Sequence, residues 1–206
     1  MGALCMNVLI AYESSGTVRE AFRKLGHNAW SCDLQPADDG MNYHFQGDVE
    51  EWISDPVLKR WDLIIMHPPC TALCVSGNAH YGTGKPKNDQ RLEAIKYTLR
   101  IFELAKVNSD AVCMENPVGV LPIKASQYVQ PYEYGHPESK KTGLWLHNLS
   151  ILKPTEVIPK PECGHWDNQT PSGQNKLGPS ENRWKIRSKT YQGIADAMAK
   201  QWSALK

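Results

Sequence analysis

The chemistry that this chain could perform is concentrated in two short turns. His67-Pro68-Pro69-Cys70-Thr71 carries a thiol, and Glu115-Asn116-Pro117 carries a carboxyl beside an amide. A cysteine is a strong nucleophile even when only a few per cent of it is thiolate at neutral pH. A carboxyl next to it can supply or take the proton that covalent addition to a polar substrate requires. The bland alternatives are equally concrete. Most free cysteines are small buried hydrophobes, and an acid beside a proline often serves as a cap or an ion-pair partner. Spacing alone leaves both readings open for both residues.

Each turn follows an apolar run that reads as an inner strand of a parallel sheet, Asp62 to Met66 in one case and Asp110 to Met114 in the other. Pro68-Pro69 fixes two φ angles and withholds two N–H groups, so the first strand must stop there. In a parallel sheet both strands end on the same edge, where open α/β sheets hold their ligands. Cys70 and Glu115 are therefore expected to converge.

The opening of the chain supplies a second site. Asn7 to Tyr12 reads as a buried strand, Glu13-Ser14-Ser15-Gly16 as a tight turn, and Thr17 to Leu25 as a helix with Val18, Ala21, Phe22 and Leu25 on one face, closed by Gly26. A strand over Ala29 to Cys32 then ends on Asp33. This order begins a nucleotide-binding βαβ unit, in which turn N–H groups and the helix N-terminus face a ligand and the acid holds a ribose hydroxyl. The repeated glycines of such units are reduced here to Gly16, and Asp33 could equally be a turn residue. Asp48, in Gly47-Asp48-Val49, reads as the N-cap of a helix carrying Trp52, as a ligand acceptor, or as both.

The rest of the chain reads more coarsely. Ser76 to Asn88 is a Gly-, Asn- and Lys-rich loop, functional or mobile, in which Lys85 and Lys87 either meet phosphates or stay solvated. Asp89 to Lys106 is an amphipathic helix with Leu92, Ile95, Leu99, Phe102 and Leu104 apolar, and Gly143 to Leu146 is a strand. Lys153 to Asn182 should be irregular, a small recognition loop or a linker. Arg183 to Lys189 is the one dense basic segment, either a solvated face or a phosphate contact. Thr190 to Leu205 closes the chain as a helix. His67, Cys70, Cys74 and His80, or Cys163 with His165, invite a zinc reading, but they lack paired ligand spacing, and no metal is expected.

Composition bounds these readings. The chain has 206 residues, 41% hydrophobic and 22% charged, with a net charge of +1, so any nucleic-acid contact must come from a local patch. Its length suits one domain with at most a small appendage. Six scattered cysteines and no visible secretory signal point to a reducing cytoplasm. No apolar stretch approaches the roughly 20 residues that cross a bilayer, so no membrane partner is expected. Met1-Gly2-Ala3-Leu4-Cys5 precedes a second methionine, Met6, and is read as an appended cloning scar and left out of fold reasoning.

Pro68-Pro69-Cys70 after one strand and Glu115-Asn116-Pro117 after a later one resemble the paired catalytic motifs of the cytosine-5 DNA methyltransferases. Glu13 to Phe22 is similar to that family's first cofactor motif, Asp33 to its acid after the second strand, and Gly47-Asp48 to its adenine-side acid. Lys140 to Leu146 resembles the basic strand segment after the glutamate motif, and Ser188 to Ala199 the closing motif. Pro-Pro-Cys-Thr, Glu-Asn-Pro and Lys-x-Thr-x-x-Trp look most like short phage-encoded members.

The resemblance implies a single α/β domain of Rossmann-like methyltransferase type, with a mostly parallel sheet flanked by helices. It divides the chain into a catalytic core at 7–150, a short recognition insert at 151–187 and a C-terminal helix at 188–206 folding back on the core. It implies S-adenosylmethionine as cofactor, met by Glu13, Ser14, Ser15, Gly16, Thr17, Asp33, Asp48, Pro68 and Ser188. It implies cytosine-containing DNA as partner, met by Pro69, Thr71, Asn116, Lys140, Lys141, Arg183 and Arg187. Cys70 would add to carbon 6 of the base and Glu115 would share a proton with ring N3, for which a raised pKa is expected. The cell would be bacterial or an infected host. A free cytosine nucleotide as substrate, and an inactive DNA-binding or decoy module, are the alternatives. Three departures stand out. The first motif has Glu13 and two serines in place of paired glycines, and Pro117 stands where valine is usual. Lys140 and Lys141 stand where the family has arginines, and a lysine offers no bidentate fork. With no room for a large recognition domain, target selection would fall to a homodimer or a partner protein. A cofactor variant bearing a charge would look to Arg19 and Lys85.

Overall fold

Asn7–Ala11 forms strand β1, all but its first residue buried. In the computed structural model, which describes residues 5–55 and 60–203, it is an inner strand, third from one edge of a seven-stranded sheet. Helix α1 (Thr17–Lys24) returns the chain to β2 (Asn28–Asp33), which is followed by β3 (His44–Gln46) and α2 (Val49–Ser54). The chain then crosses to the other side of β1 to make β4 (Trp61–Met66), a short helix α3 (Asn78–Tyr81), the long helix α4 (Asn88–Asn108) and β5 (Ser109–Pro117). Strands β6 (Gln127–Val129) and β7 (Thr142–His147) and helices α5 (Arg183–Ser188) and α6 (Gln192–Trp202) complete it.

The strand order is β3-β2-β1-β4-β5-β7-β6. The first five strands of that order pair in parallel, while β7 runs antiparallel to both of its neighbours. The direction of winding reverses between β1 and β4, so a ligand crevice opens at their carboxyl ends. The expected α/β architecture, a mostly parallel sheet flanked by helices, is the one found.

Both faces of the sheet are buried, which is why β1, β4 and β5 read as nearly unbroken apolar runs. Val8, Ile10, Leu63, Ile65, Ala111 and Cys113 pack with Val18 and Phe22 of α1 and Ile194, Met198 and Trp202 of α6. Leu9, Ala11, Ile64, Met66, Val112 and Met114 pack on the opposite face with Ile53 of α2 and Ile101, Phe102 and Ala105 of α4.

Several boundaries differ from the sequence reading. β5 runs on through Glu115, Asn116 and Pro117, because β7 pairs with it across those residues (Glu115 with Leu144, Asn116 with Gly143). Pro117 is tolerated as the last position of the ladder. The buried face of α4 is Arg91, Thr98, Ile101, Phe102 and Ala105, while Leu92 is 48% exposed. Ser76 to Asn88 is not a plain loop but contains α3 after a short 3-10 turn. Arg183–Ser188 is a helix. The expected irregular stretch from Lys153 to Asn182 carries no helix or strand, and it docks on the chain before β7 through Ser139–Asn168 amide bonds and a stacked Tyr132–Trp166 pair. Met1 to Leu4, and Leu205 of the expected last helix, lie outside the described residues. Among the described residues no helix is long and apolar enough to cross a membrane.

Candidate active site

The segment after β4 is tied at three places to the end of β5 and the chain that follows it. Asn116 Nδ2 donates to the carbonyl of Pro68 at 3.1 Å. His67 Nδ1 lies 3.1 Å from Glu115 Oε2. Beyond the prolines, Val75 N donates to Val118 O and Val120 N to Leu73 O, so the chain after Cys70 pairs with the chain after Pro117. Arg91, buried on α4, braces this turn from behind by donating to the carbonyls of Ala72 (2.7 Å) and Cys74 (3.3 Å) and to Asn78 Oδ1 (2.8 Å). A turn held at this many points has little freedom to move its nucleophile.

Cys70 is half-buried and free. Burial raises its thiol pKa, and the charges of Glu115 and Cys74 push the same way, while Lys140 and a backbone N–H pull it down. The thiol therefore shares an electrostatic environment with Glu115, as the parallel strand ends imply. Free in solution, it would be mostly protonated at neutral pH.

Glu115 corrects the sequence reading. Burial pushes its pKa up, as expected, but the His67 hydrogen bond and charge, Lys140 and the Thr142 hydroxyl outweigh this and hold it below the usual carboxylate range. The partner responsible sits 48 residues away in sequence. Glu115 lines a small hollow of about 10 Å³, room for about one water, together with Lys140, Thr142, Leu144, Thr190, Tyr191 and Ile194; Cys70 is not among its walls.

The turn after β1 also departs from expectation. Glu13 is 5% exposed and turns inward, its carboxylate accepting from Val18 N (2.8 Å) and Arg19 N (3.2 Å). It thereby occupies the N–H groups of α1 that were expected to face a cofactor. A buried carboxylate needs donors, and the helix start beside it supplies them. Its pKa is raised by burial, opposed first by the His67 charge and then by the two amides. Ser15 Oγ donates to the same carboxylate. Ser14 accepts Asp38 N at its carbonyl, Thr17 opens α1, and Gly16 holds φ +71° against the Arg19 side chain. Arg19 is fully buried and committed to Glu20, Ser31 and Asp39, so it is not available to a charged cofactor. Lys85 remains exposed between α3 and α4.

The second and third strands bring two acids together. Gly47 N donates to Asp33 O, which sets Asp48 beside the end of β2. Asp33 Oδ1 accepts from Gln35 N, and Asp48 Oδ1 accepts from Glu50 N as the cap of α2. Each of the two acids keeps one carboxylate oxygen, Oδ2, outside these local bonds. Leu34, next to Asp33, is 70% exposed. Leu34 escaped the sequence reading because an apolar residue in a turn has no periodicity to mark it.

The remaining candidates divide. Pro68 is buried, with its carbonyl held by Asn116, and Pro69 and Thr71 are exposed. Lys140 Nζ donates to the carbonyls of Arg187 (2.8 Å) and Lys189, so it anchors α5 while its charge reaches Glu115 and Cys70. Lys141 lies over the Tyr128 ring. Ser188 donates to Lys185 O and so closes α5. The other end of the α5 anchorage is Asp38, 2.6 Å from Lys185. Among the described residues the side chains of Arg183, Arg187, Trp184 and Ile186 make no hydrogen bond or ion pair, and the last two are more than half exposed. His67 and Arg91 were missed as site residues because each works through a partner far away in sequence. Among the described residues no three His, Cys, Asp or Glu side chains are grouped to hold a metal ion.

No protein-family model matches the sequence, and no curated protein matches it. Among solved structures the chain is similar to the S. pombe Dnmt2 methyltransferase, at 17% identity over 68% of this chain and 49% of that one, with a TM-score of 0.42. It is also similar to the Entamoeba histolytica methyltransferase EhMeth, at 14% over 75% and 58%, TM-score 0.48. A third likeness is to the bifunctional kinase-methyltransferase WbdD, at 16% over 80% and 39%, TM-score 0.43. The chain thus spans 39 to 58% of the length of these structures. At that level of likeness none of them assigns a role to a residue.

Proposed function

We propose that the protein transfers a methyl group from S-adenosylmethionine to carbon 5 of cytosine in DNA, through a covalent adduct between Cys70 and carbon 6. The observation that carries this reading is the cross-tied pair of turns. They hold a half-exposed thiol and a buried carboxyl at one edge of the sheet, on residues whose motifs resemble those of the cytosine-5 methyltransferases.

Each residue has a definite task. Cys70 Sγ adds to carbon 6 and makes carbon 5 electron-rich. Glu115 hydrogen-bonds N3 and the exocyclic amine, which selects cytosine over thymine. Asn116 fixes the Pro68 carbonyl and thereby the approach of the thiol. When bound, S-adenosylmethionine supplies an electrophilic methyl carbon. Asp33, Leu34 and Asp48 fit its ribose and adenine. Glu13, already satisfied by α1, leaves no helix N-terminus for an anionic group. DNA is favoured over a free nucleotide by α5, which exposes Trp184 and Ile186 beside Arg183 and Arg187. Cations that neutralise phosphates, next to an aromatic face on which a base can stack, suit a nucleic-acid strand.

The test is trapping. Duplex DNA containing 5-fluorocytosine cannot lose the carbon 5 substituent, so turnover stops at the adduct. With S-adenosylmethionine, the wild type is expected to form a species of protein plus DNA plus one methyl group by mass spectrometry, and Cys70→Ser none. Failure of the wild type to form it overturns the assignment. Unmodified DNA and dCMP compared as methyl acceptors distinguish polymer from nucleotide.

A further inference from the structure

His67 is the buried titratable group that this reaction leaves without a task. Its side chain is 9% exposed and that of Glu115 is 16% exposed, with Nδ1 and Oε2 3.1 Å apart. Its other nitrogen, Nε2, is buried with no hydrogen-bond partner. Among the described residues the only two such orphaned side-chain atoms are His67 Nε2 and Asn116 Oδ1, and both flank the Pro68-Pro69 turn. Buried polar atoms are normally satisfied, so a pair of exceptions at one site needs a reason.

We propose that His67 and Glu115 form a dyad sharing one excess proton, and that His67 holds the proton which Glu115 presents to ring N3. This rests on the cytosine reading above. Glu115 alone is poorly suited to the task, because its neighbours keep it ionised and a carboxylate has no proton to offer. The imidazole beside it is the nearest store. The charged groups that face His67 are Glu115 from β5, with Oε2 3.1 Å from Nδ1, and Glu13 from the turn after β1; Lys140 and Cys70 reach Glu115 instead.

The step balances. As the Sγ–C6 bond forms, the C5=C6 π pair becomes the C4=C5 bond and the C4=N3 π pair moves onto N3. N3 takes the dyad's proton, leaving a neutral imidazole and a carboxylate. Once carbon 5 carries its new substituent, solvent water takes the C5 proton, the C5–H pair becomes C5=C6, the Sγ–C6 pair returns to sulfur as thiolate, and N3 gives its proton back to the dyad. His67 is a positioning residue and proton store that acts through Glu115 without touching the base.

The experiment follows adduct formation on 5-fluorocytosine DNA across pH for wild type, His67→Asn, His67→Gln and Cys70→Ser, with DNA affinity by gel shift and thermal unfolding alongside. Asparagine can keep a donor toward Glu115 but cannot carry a proton. The wild-type rate is expected to be bell-shaped, rising with the thiolate and falling as the dyad loses its proton. In His67→Asn the rate at pH 7.5 falls by about 10- to 100-fold with DNA affinity unchanged. Its alkaline limb moves to lower pH, because a carboxyl alone releases its proton roughly two units below an imidazole. An unchanged profile in both folded histidine variants, with the Cys70→Ser adduct absent, overturns the dyad and leaves the cytosine reading standing. No adduct in the wild type overturns both. If the variants unfold, His67 has a scaffold role and the dyad is rejected.

Discussion

Asn116 has one side-chain atom engaged and one bare. Its Nδ2 satisfies the Pro68 carbonyl, the last backbone acceptor before the nucleophile turn. Asn116→Ala leaves that buried carbonyl unpaired, at a cost of about 1–3 kcal/mol. We expect a lower melting temperature and a slower adduct rate with unchanged DNA affinity, read by calorimetry and by trapping kinetics. A variant as fast and as stable as wild type would remove the cross-tie from the argument. Glu13 shows why single residues are hard to read from sequence. In a Ser-Ser-Gly turn it has the composition of a ligand loop, yet its carboxylate is consumed by two amides of its own helix. Whether an acid faces outward or caps a helix is decided by a χ angle that spacing does not encode.

At the scale of elements, the strands were readable because burial on both faces demands apolar runs, and Pro68-Pro69 marks the end of β4 without ambiguity. That was enough to bring Cys70 and Glu115 to one edge. The ties between elements were not readable. Arg91 looks like one charged position on an amphipathic helix, but it is 6% exposed and holds the Cys70 turn through two carbonyls and an amide. Its partners lie 13 to 19 residues away, on a segment whose path is set only when α3 folds. Arg91→Met should leave the sheet intact while releasing residues 71–78. Hydrogen exchange would then quicken in that segment alone, and adduct formation would slow. Unaltered exchange there would mean that the brace is redundant. The face of α4 was misjudged for a related reason. Leu92 looks apolar enough for the core, but the helix is rotated so that Arg91 faces inward.

At the scale of the molecule, the two chain ends meet over one imidazole. His27 Nδ1 accepts from Met6 N and Nε2 lies 2.6 Å from Ser203 Oγ, joining the start of β1 to the end of α6. Burial lowers its pKa from the ordinary 6.5. The unfolded chain therefore takes up a proton before the folded one does, and stability falls as pH drops below about 6.5. Denaturant midpoints at pH 7.5 and 5.5 should differ for wild type and differ less for His27→Gln. An equal shift in both would assign the acid sensitivity elsewhere. Glu115, whose folded pKa is depressed, contributes in a separate and lower window, its stabilisation lost only as pH falls below the carboxylate range. One further contact spans the molecule in a different sense. The Lys140 ammonium grips two carbonyls at the end of α5 and also sets the field felt by the carboxyl and the thiol. A polyanion that drew Arg183 and Arg187 outward would therefore strain the same ammonium whose charge reaches the reacting groups, and the outer helix and the interior would respond together.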